Sequence, residues 1–420
     1  MAKIIQELDG SITLSLNIKL VGSSLEQEEM LLASLNSLGC LGTKEILESQ
    51  DSNGEPIELG GIKHSSKGKK KKEYQCPFGK IVVARHVYQS NQGGKSYVYM
   101  EEKAGLIGDN TVRLDKVLSW KYVHMSGETV VKDMKLNHLV EFSKGFVQSS
   151  VRKTGEFFAE IESEMSYELP CEMEEVATIS LSRDGANMPI CPSGWREALC
   201  GSISFHNETG NRLHTIYMAC SPQYGSETFQ YLFDCEVEKV KEQFPTCSYI
   251  GIADGAKCNW THLSKHAKVE ILDFYHVSEY VAKAAKILHA KDKSKQEIWL
   301  KDACHKLKTK PNTAKKILNE LKKFQNEDES ENFRIELDLI ITYFSNHLAQ
   351  MDYPLFIRNG YPIGSGVIEA ACKTLVKQRF SASGMKWNIQ IANSLLLLRG
   401  IVLTNGRWEQ AWNRFRKNTA

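Results

Sequence analysis

Long apolar segments are missing from this 420-residue sequence. The most apolar stretch, around residues 395–398, falls far short of the roughly 20 residues that span a bilayer. The first ten residues contain too few apolar side chains, and an acid too early, to form a secretory signal. We therefore expect a cytoplasmic protein with no membrane contact.

Paired cysteines are also missing. The 11 cysteines are odd in number and scattered, and none forms a C-x-x-C pair. This pattern argues against a disulfide framework, a zinc ribbon and a redox motif. We expect reduced cysteines that fill space as small hydrophobic residues.

Acidic residues are scarce at the C-terminal end of the chain. Residues 370–420 hold one acid, Glu409, against nine basic residues, whereas residues 1–60 hold ten acids and three lysines. The net charge of +2 conceals this asymmetry. A basic region indicates either a polyanionic partner or a solvated helical face, and charge alone does not decide between them.

The length of the chain predicts two or three domains, because it exceeds what one hydrophobic core usually organises. The pattern before residue 176 predicts an acidic arm over 1–60 with a helix at 25–38, a basic loop and β-hairpin over 61–110, a helical region over 111–158 and an acidic linker over 159–175. The lysine-rich run 67–72 is either a solvated loop or a flexible phosphate contact. The hairpin would pair 79–88 with 95–100 around Gly93 and Gly94.

The region 111–158 has helical periodicity in three segments. They cover 112–124, about 126–139, and the residues after Ser143, a candidate N-cap. Three short helices are typical of a helix-turn-helix DNA-binding region, and equally of a plain helical packing unit. In the first interpretation, polar and basic residues of the third helix contact DNA: Lys144, Gln148, Arg152 and Lys153.

From residue 176 the pattern predicts an α/β fold with a mixed sheet. The predicted elements are strands 176–182, 198–205 and 213–219, a helix at 227–243, a strand at 249–253, a further helix, and a strand at 269–272. Residues 277–360 predict helices alone, with a polar break at 326–330. Residues 361–420 pass through a glycine-rich turn into a final helical region.

Two acids lie at predicted strand ends, and each is followed by glycine. They are Asp184, after strand 176–182, and Asp254, after strand 249–253. Because strand ends in an open α/β sheet face one crevice, both carboxylates can point toward a metal or a phosphate. Asp-Gly also commonly makes a turn, so each pair alone has a structural interpretation. Two pairs in one predicted sheet favour a site.

A third acid, Glu369, lies in the segment GSGVIEAACK (364–373), where a helix is predicted to begin. The glycines would let the backbone approach another group closely. Glu369, Lys373 and Lys377 would share one helical face. They would form either intrahelical Glu–Lys pairs or an acid directed at a metal with two ammonium groups along a phosphate backbone.

Three carboxylates in one place would repel one another and retain protons unless a cation neutralised them. Hard oxygen ligands suit Mg²⁺ or Mn²⁺. Two such ions about 3.5–4 Å apart can activate a water or a 3′-hydroxyl and stabilise the departing oxygen. That arrangement serves phosphodiester hydrolysis and strand transfer equally well.

Several segments are distinctive together: RDGANMPI (183–190), YIGIADGAKCNW (249–260), LDFYH (272–276), YPIGSGVIEAACKTLVKQRF (361–380), SGMKW (383–387) and NGRWEQAW (405–412). They resemble the DDE transposases of bacterial insertion sequences, in particular the Kra group, which is related to the Mutator-like transposases. PFGKIVVARHVYQ (77–89) resembles the N-terminal region of that group less specifically. The resemblance covers about residues 176–415.

This resemblance implies a ribonuclease-H-like core over 176–276 and 361–420, interrupted by a helical insertion over 277–360. It implies that Asp184, Asp254 and Glu369 are the catalytic residues and the ligands of two Mg²⁺ (or Mn²⁺) ions. Asp273 and His276 are similar to the D-x-x-H element of Mutator-like relatives, which implies a supporting role, although the histidine also fits a structural role. The implied DNA contacts near this core are Trp260, Lys373, Lys377, Arg379 and Trp387. Either tryptophan could stack on a flipped base or belong to the core.

The implied function is DNA transposition. The N-terminal region would bind the terminal inverted repeats of double-stranded DNA, and a homodimer or larger assembly on the bacterial nucleoid would cut DNA and join its ends to target DNA. The alternatives are a metal-dependent nuclease without strand transfer and an inactive transposase-derived DNA-binding protein. A glycosidase built on an Asp/Glu pair leaves the basic C-terminal region unexplained.

Overall fold

The computed structural model describes residues 2–8, 11–19, 21–170, 175–223, 225–327 and 331–417. The chain forms two compact units. The first consists of Met1–Glu162, Gln390–Leu398 and Glu409–Ala420, and the second consists of Ser163–Ile389 and Arg399–Trp408. Each unit has a hydrophobic core of its own.

The first 60 residues form a hairpin and a long helix instead of an arm with one short helix. Strand β1 (Ala2–Leu8) pairs antiparallel with β2 (Ser11–Leu16), and helix α1 (Ser24–Ser49) follows. A capping box between Ser23 and Glu26 sets the start of α1. The predicted end at residue 38 is wrong, because Gly39 does not end the helix. Its missing side chain leaves space for the ring of Phe78.

The second sheet of the first unit has the order β3 (Ile57–Leu59), β4 (Ile62–Cys76) and β5 (Gly79–Ser90). The lysine-rich run 67–72 belongs to β4, so the predicted loop is wrong. The register shifts between Ser66 and Lys69, where Gly68 has a φ of 79°. The predicted hairpin partners are also wrong, because β5 pairs with β4. Residues 95–100 contribute a bridge from Tyr97 to Tyr88 and the start of α2 (Tyr99–Lys103).

The three helices predicted over 111–158 are confirmed as α3 (Val112–His124), α4 (Gly127–His138) and α5 (Lys144–Glu160). Ser143 caps α5 as predicted, because its Oγ accepts a hydrogen bond from the Phe146 N–H at 3.1 Å. Of the predicted acidic linker 159–175, the structure describes the end of α5 and a 3-10 helix (Glu162–Glu164), and residues 171–174 lie outside the described residues.

The second unit contains a five-stranded mixed sheet, which confirms the predicted α/β class. Its elements are β6 (Thr178–Ile190), β7 (Gly194–His206), β8 (Arg212–Cys220), α6 (Gly225–Gln243), β9 (Ser248–Ala253), α7 (Lys257–Leu263) and β10 (Val269–Leu272). The strand order is β10-β9-β6-β7-β8. β6 and β7 are antiparallel, as are β7 and β8, whereas β9 is parallel to both β6 and β10.

Helices follow the sheet, as predicted. They are α8 (Phe274–Leu288), α9 (Lys293–Thr309), α10 (Thr313–Glu327), α11 (Glu331–His347), a 3-10 helix (Leu348–Met351), α12 (Tyr353–Arg358), α13 (Gly366–Ala371), a π-helix (Cys372–Lys377), α14 (Gln378–Phe380), α15 (Ile389–Leu403) and α16 (Arg407–Lys417). Residues 328–330 of the predicted break lie outside the described residues. The sheet, α6 and α8–α12 share one hydrophobic core. None of the helices in the described part of the chain combines the length and the apolar character needed to cross a bilayer.

Candidate metal centre

The parallel strands of the second unit bring three aspartates to one level of the sheet. The register of β9 with β10 places Asp273 beside Asp254, and the Asp273 N–H donates to the Ala253 carbonyl at 2.8 Å. The register of β6 with β9, continued for three residues, places Asp184 beside Asp254. Neighbouring strands lie about 4.8 Å apart. Asp184 and Asp254 line the same cavity of about 410 Å³.

Asp254 is held by its own loop through one carboxylate oxygen. Oδ1 accepts hydrogen bonds from the Ala256 N–H and from Asn259 Nδ2, both at 3.0 Å. Oδ2 accepts no hydrogen bond from the residues that the structure describes. Gly255 has a φ of 99°, and a Cβ there would lie 3.1 Å from Leu272, so this turn requires glycine. The carboxylate is therefore oriented and keeps one oxygen for a cation.

Asp184 lies inside a strand, although the sequence predicts it just after one. β6 continues to Ile190 because its pairing with β7 continues, so Asp184 and Gly185 do not form a turn. Cys372 Sγ donates to Asp184 Oδ2 at 3.7 Å. Burial raises the pKa of Asp184, and the negative charge of Asp254 raises it further. A cation between these two carboxylates would relieve both effects.

Asp273 is fully buried and uses both oxygens inside the protein. It caps α8, because Oδ1 accepts from the Tyr275 N–H and Oδ2 from the His276 N–H, each at 3.2 Å. Oδ1 also accepts from the Ser365 N–H at 2.9 Å. Asp273 therefore connects the start of α8 to the turn that precedes Glu369.

Glu369 lies in the first turn of α13, beside Asp273 and His276. One ligand atom of each of these three residues lies within 4.8 Å of the others. Glu369 is exposed, and Ser365 Oγ donates to its Oε1 at 3.3 Å. Both oxygens of Asp273 already accept backbone hydrogen bonds, so Glu369 and His276 have more lone-pair capacity for a cation in this cluster.

The helix that carries Glu369 also reaches Asp184. Cys372, three residues after Glu369, supplies the thiol that contacts the Asp184 carboxylate. The described residues do not bring oxygens of Asp184, Asp254 and Glu369 within 4.8 Å of one another as a group. The acids thus lie along one edge of the sheet instead of surrounding a single point.

The predicted reason for the glycines beside Glu369 is wrong. A Cβ at Gly364 would lie 3.7 Å from Asp273 Oδ1, an ordinary contact, and a Cβ at Gly366 would meet nothing. The close approach is made by the Ser365 N–H, which donates to Asp273. Any residue with this backbone conformation could supply that donor.

Lys373 and Lys377 are exposed, but they do not continue a regular α-helical face from Glu369. Residues Cys372–Lys377 form a π-helical turn, which changes the spacing assumed in the prediction. Arg379 is buried, and its guanidinium lies over the Trp387 ring at 4.8 Å. The prediction that Arg379 contacts DNA is therefore not supported.

Both tryptophans considered for base stacking are buried. Trp260 is 8% exposed and belongs to the core of the second unit. Trp387 is 6% exposed, packs against Phe380, and donates from Nε1 to the Phe380 carbonyl at 3.0 Å. These contacts support the core interpretation for each.

The residues predicted to contact DNA from the first unit lie on α5. Lys144 is exposed, and Gln148 and Arg152 follow it at four-residue intervals on the same face. Arg152 pairs with Glu156 at 2.6 Å. Lys153 points elsewhere, because its Nζ lies against Gly108. Burial raises the pKa of Asp115, and the charge of Lys153 offsets a small part of that rise. Lys153 is therefore engaged within the first unit.

Sequence reasoning missed three residues at the edge of the sheet: Arg183, Asn259 and Cys372. Each is close in sequence to a predicted acid, which is the signal that could have found it. Arginine and cysteine are not ligands of hard cations, and Asn259 acts here through Nδ2, which donates to Asp254. Their roles depend on packing that the pattern does not contain.

A comparison of the chain with protein-family models and with curated proteins finds no match. The residues at this edge of the sheet are therefore the basis for assigning a function to the chain.

Proposed function

We propose that this protein is a transposase whose second unit cuts and joins DNA strands with divalent metal ions. One observation carries the proposal. Asp184 and Asp254 line one cavity at the edge of a mixed sheet, and α13 brings Glu369 to the same edge. Each acid comes from a different part of the chain, which is the arrangement expected of a metal site assembled by the fold.

The topology supports a ribonuclease-H-like assignment, which the sequence resemblance implies. In the second unit, the antiparallel strands β6, β7 and β8 come first. The parallel strands β9 and β10 are then added on the side of β6 that faces away from β7. The first acid lies on β6, and the second and the supporting acid follow β9 and β10. Glu369 returns from a helical segment that separates it from these strands.

The residues fit Mg²⁺ or Mn²⁺. The donors are hard oxygens, Asp254 keeps Oδ2 without a hydrogen bond among the described residues, and the proximity of Asp254 raises the pKa of Asp184. Bound there, two divalent ions would activate a water or a 3′-hydroxyl and neutralise charge on the phosphodiester.

Other residues of the chain would orient these ligands and the DNA. Asp273 holds the Ser365 backbone, and Ser365 in turn donates to Glu369, so the position of Glu369 is fixed through the start of α8. Lys373 and Lys377 are exposed beside the site and would contact phosphates. The exposed Lys144 face of α5 would contribute sequence recognition from the first unit.

Substituting Asp254 tests the proposal. We expect Asp254→Asn to reduce magnesium-dependent cleavage of DNA that carries the repeats flanking the gene by about a thousandfold or more. DNA affinity and melting temperature should stay close to wild type. Asp302→Asn, which changes an exposed aspartate of α9, is the matched control and should cleave normally.

Cleavage by Asp254→Asn at the wild-type rate would overturn the metal-centre assignment. A second assay supplies DNA with pre-cut 3′-hydroxyl ends. Joined products support a transposase, whereas cleavage without joining would indicate a nuclease. DNA binding with neither reaction would indicate a binding protein.

A further inference from the structure

Arg183, the residue before Asp184, is a buried cation that forms no salt bridge among the described residues. Burial lowers the pKa of its guanidinium, and the nearby charge of Glu197 partly offsets that effect. Arg183 is 4% exposed, and neither Nε nor Nη1 has a hydrogen-bond partner in the described structure. Its guanidinium lies 5.7 Å from the centre of the Phe229 ring. An arginine that is buried without hydrogen bonds is costly, because the lost hydration is not replaced. An anion bound beside the guanidinium would replace part of that lost hydration.

Arg183 lines the same cavity as the two aspartates. β6 places it on the sheet face opposite Asp184, because successive side chains alternate. The cavity wall also contains Ser221, Ser226 and Asn259, and Asn259 Nδ2 donates to Asp254. The volume of about 410 Å³ is sufficient for a phosphate group and its attached atoms.

A second feature of the wall also favours an anion. Gly225 and Ser226, the first residues of α6, line the cavity, and α6 is 19 residues long. The first N–H groups of a helix lack intrahelical partners and carry partial positive charge. A helix start beside an unpaired arginine is a common design for binding phosphate.

The cavity also contains three carboxylates: Asp184, Asp254 and Glu197. Glu197 extends over Gly185, where a Cβ would collide with its side chain, and its charge acts on Arg183 without a salt bridge between them in the described structure. The cavity therefore has a cationic part and an acidic part. A ligand that bridges them must be an anion on one side and bind a shared cation on the other.

We propose that this cavity takes a phosphate of the DNA strand, with Arg183 and the start of α6 as its anion receptor and the aspartates reached through divalent cations. The assignment rests on the proposed function, because it identifies how the same site holds its substrate. Arg183 thus positions one phosphate next to the reacting bond. A free phosphate or a nucleotide shares this chemistry, and the experiment below separates them from DNA.

The first test measures binding without catalysis. We expect inorganic phosphate with Mg²⁺ to raise the melting temperature of the wild type and to leave Arg183→Gln unchanged. Arg196→Gln, an exposed arginine on β7, is the matched control and should respond like the wild type. Without phosphate, Arg183→Gln should melt at the wild-type temperature or above, because an unpaired buried charge has been removed. A clearly lower melting temperature would instead indicate a structural role and overturn the proposal.

The second test identifies the phosphate. Single neutral methylphosphonates are placed along the DNA strand around the cleaved bond, and binding and cleavage are measured for each. One position should weaken the wild type about 10- to 100-fold, the range of a charge-assisted hydrogen bond. Arg183→Gln should show a similar loss on unmodified DNA and no further loss at that position, because both changes remove one interaction. Additive losses at every position would overturn the proposal.

The two tests separate failure of this inference from failure of the proposed function. Normal cleavage by Arg183→Gln would overturn the assignment of the phosphate site and leave the assignment of the metal centre unchanged. A phosphate-dependent shift in a protein that neither binds nor cuts DNA would keep an anion site and reject the DNA ligand, so the inference would fail with the proposed function.

Discussion

Each of the two units buries an aspartate with a raised pKa, but the surroundings of the two carboxylates differ. In the first unit, Asp115 is fully buried on α3, and burial raises its pKa to about 7. Its Oδ1 accepts hydrogen bonds from Asn110 Nδ2 at 2.8 Å and Ser150 Oγ at 2.6 Å. In the second unit, Asp184 lines a cavity beside Asp254. A raised pKa does not by itself identify a functional acid, whereas a cavity and a second carboxylate beside it support the proposed role of Asp184.

The same contrast holds between neighbouring acids of the second unit. Asp254 and Asp273 follow adjacent parallel strands at one level. Asp273 gives both oxygens to backbone donors, whereas Asp254 gives one. Asp273 is therefore a structural brace, and Asp254 is a ligand candidate. Three substitutions test this distinction and the corresponding one in the first unit.

The largest effect on stability is expected at Asp273. Asp273→Ala removes the cap of α8 and the acceptor for Ser365, so the free energy of unfolding should fall by about 3 kcal/mol. Asp273→Asn keeps Oδ1 and should lose less. Urea unfolding measures both, with Asp254→Ala as the comparison. If Asp273→Ala and Asp254→Ala proved equally stable, the distinction between brace and ligand would fail.

A pH-dependent effect is expected at Asp115. Its folded pKa of about 7 exceeds the value of about 4 in an unfolded chain, so folding retains a proton and the wild type loses stability as pH rises between these values. Asp115→Asn cannot ionise. It should therefore exceed the wild type by about 2 kcal/mol at pH 8, with the gap shrinking toward pH 4. Urea unfolding at both pH values measures this, and a gap independent of pH would show that Asp115 titrates normally.

The smallest effect is expected at Ser143, a cap without a second task. Ser143→Ala leaves the Phe146 N–H without its acceptor and should cost about 1 kcal/mol. Ser143→Asp keeps an acceptor and should restore most of the loss. If Ser143→Ala lowered the free energy of unfolding as much as Asp273→Ala does, the additional hydrogen bond that Asp273 accepts from the Ser365 N–H would contribute nothing to stability.

Local signals explain which parts of the fold could be predicted from the sequence. Ser143 begins a helix because a side-chain cap acts within three residues, and the strand before Asp254 is continuous and apolar. The run 67–72 was misread because its composition is that of a loop, whereas the pairing of β4 with β5 makes it a strand. The run pairs with residues of β5 such as His86, which lie outside the window of the run itself.

The candidate site was predictable to the same extent. Strand ends followed by Asp-Gly indicate where carboxylates lie, and for Asp254 the turn requires its glycine. The two oxygens of Asp273 and the missing partner of Arg183 depend on atoms from other elements. Such details follow from side-chain packing alone.

The contact between Asp273 and the Ser365 backbone bears on how this protein can change in evolution. The chain leaves the sheet at Phe274 and returns at Ile363, and a hydrogen bond of 2.9 Å between their backbones closes this long excursion at its base. The excursion also supports the sheet, because Tyr343 and Tyr353 donate hydrogen bonds to the Asp254 and Leu272 carbonyls and its helices share the core of the sheet. Descendants could therefore lengthen, trim or exchange those parts of the excursion that do not pack on the sheet while their chemistry stays in register.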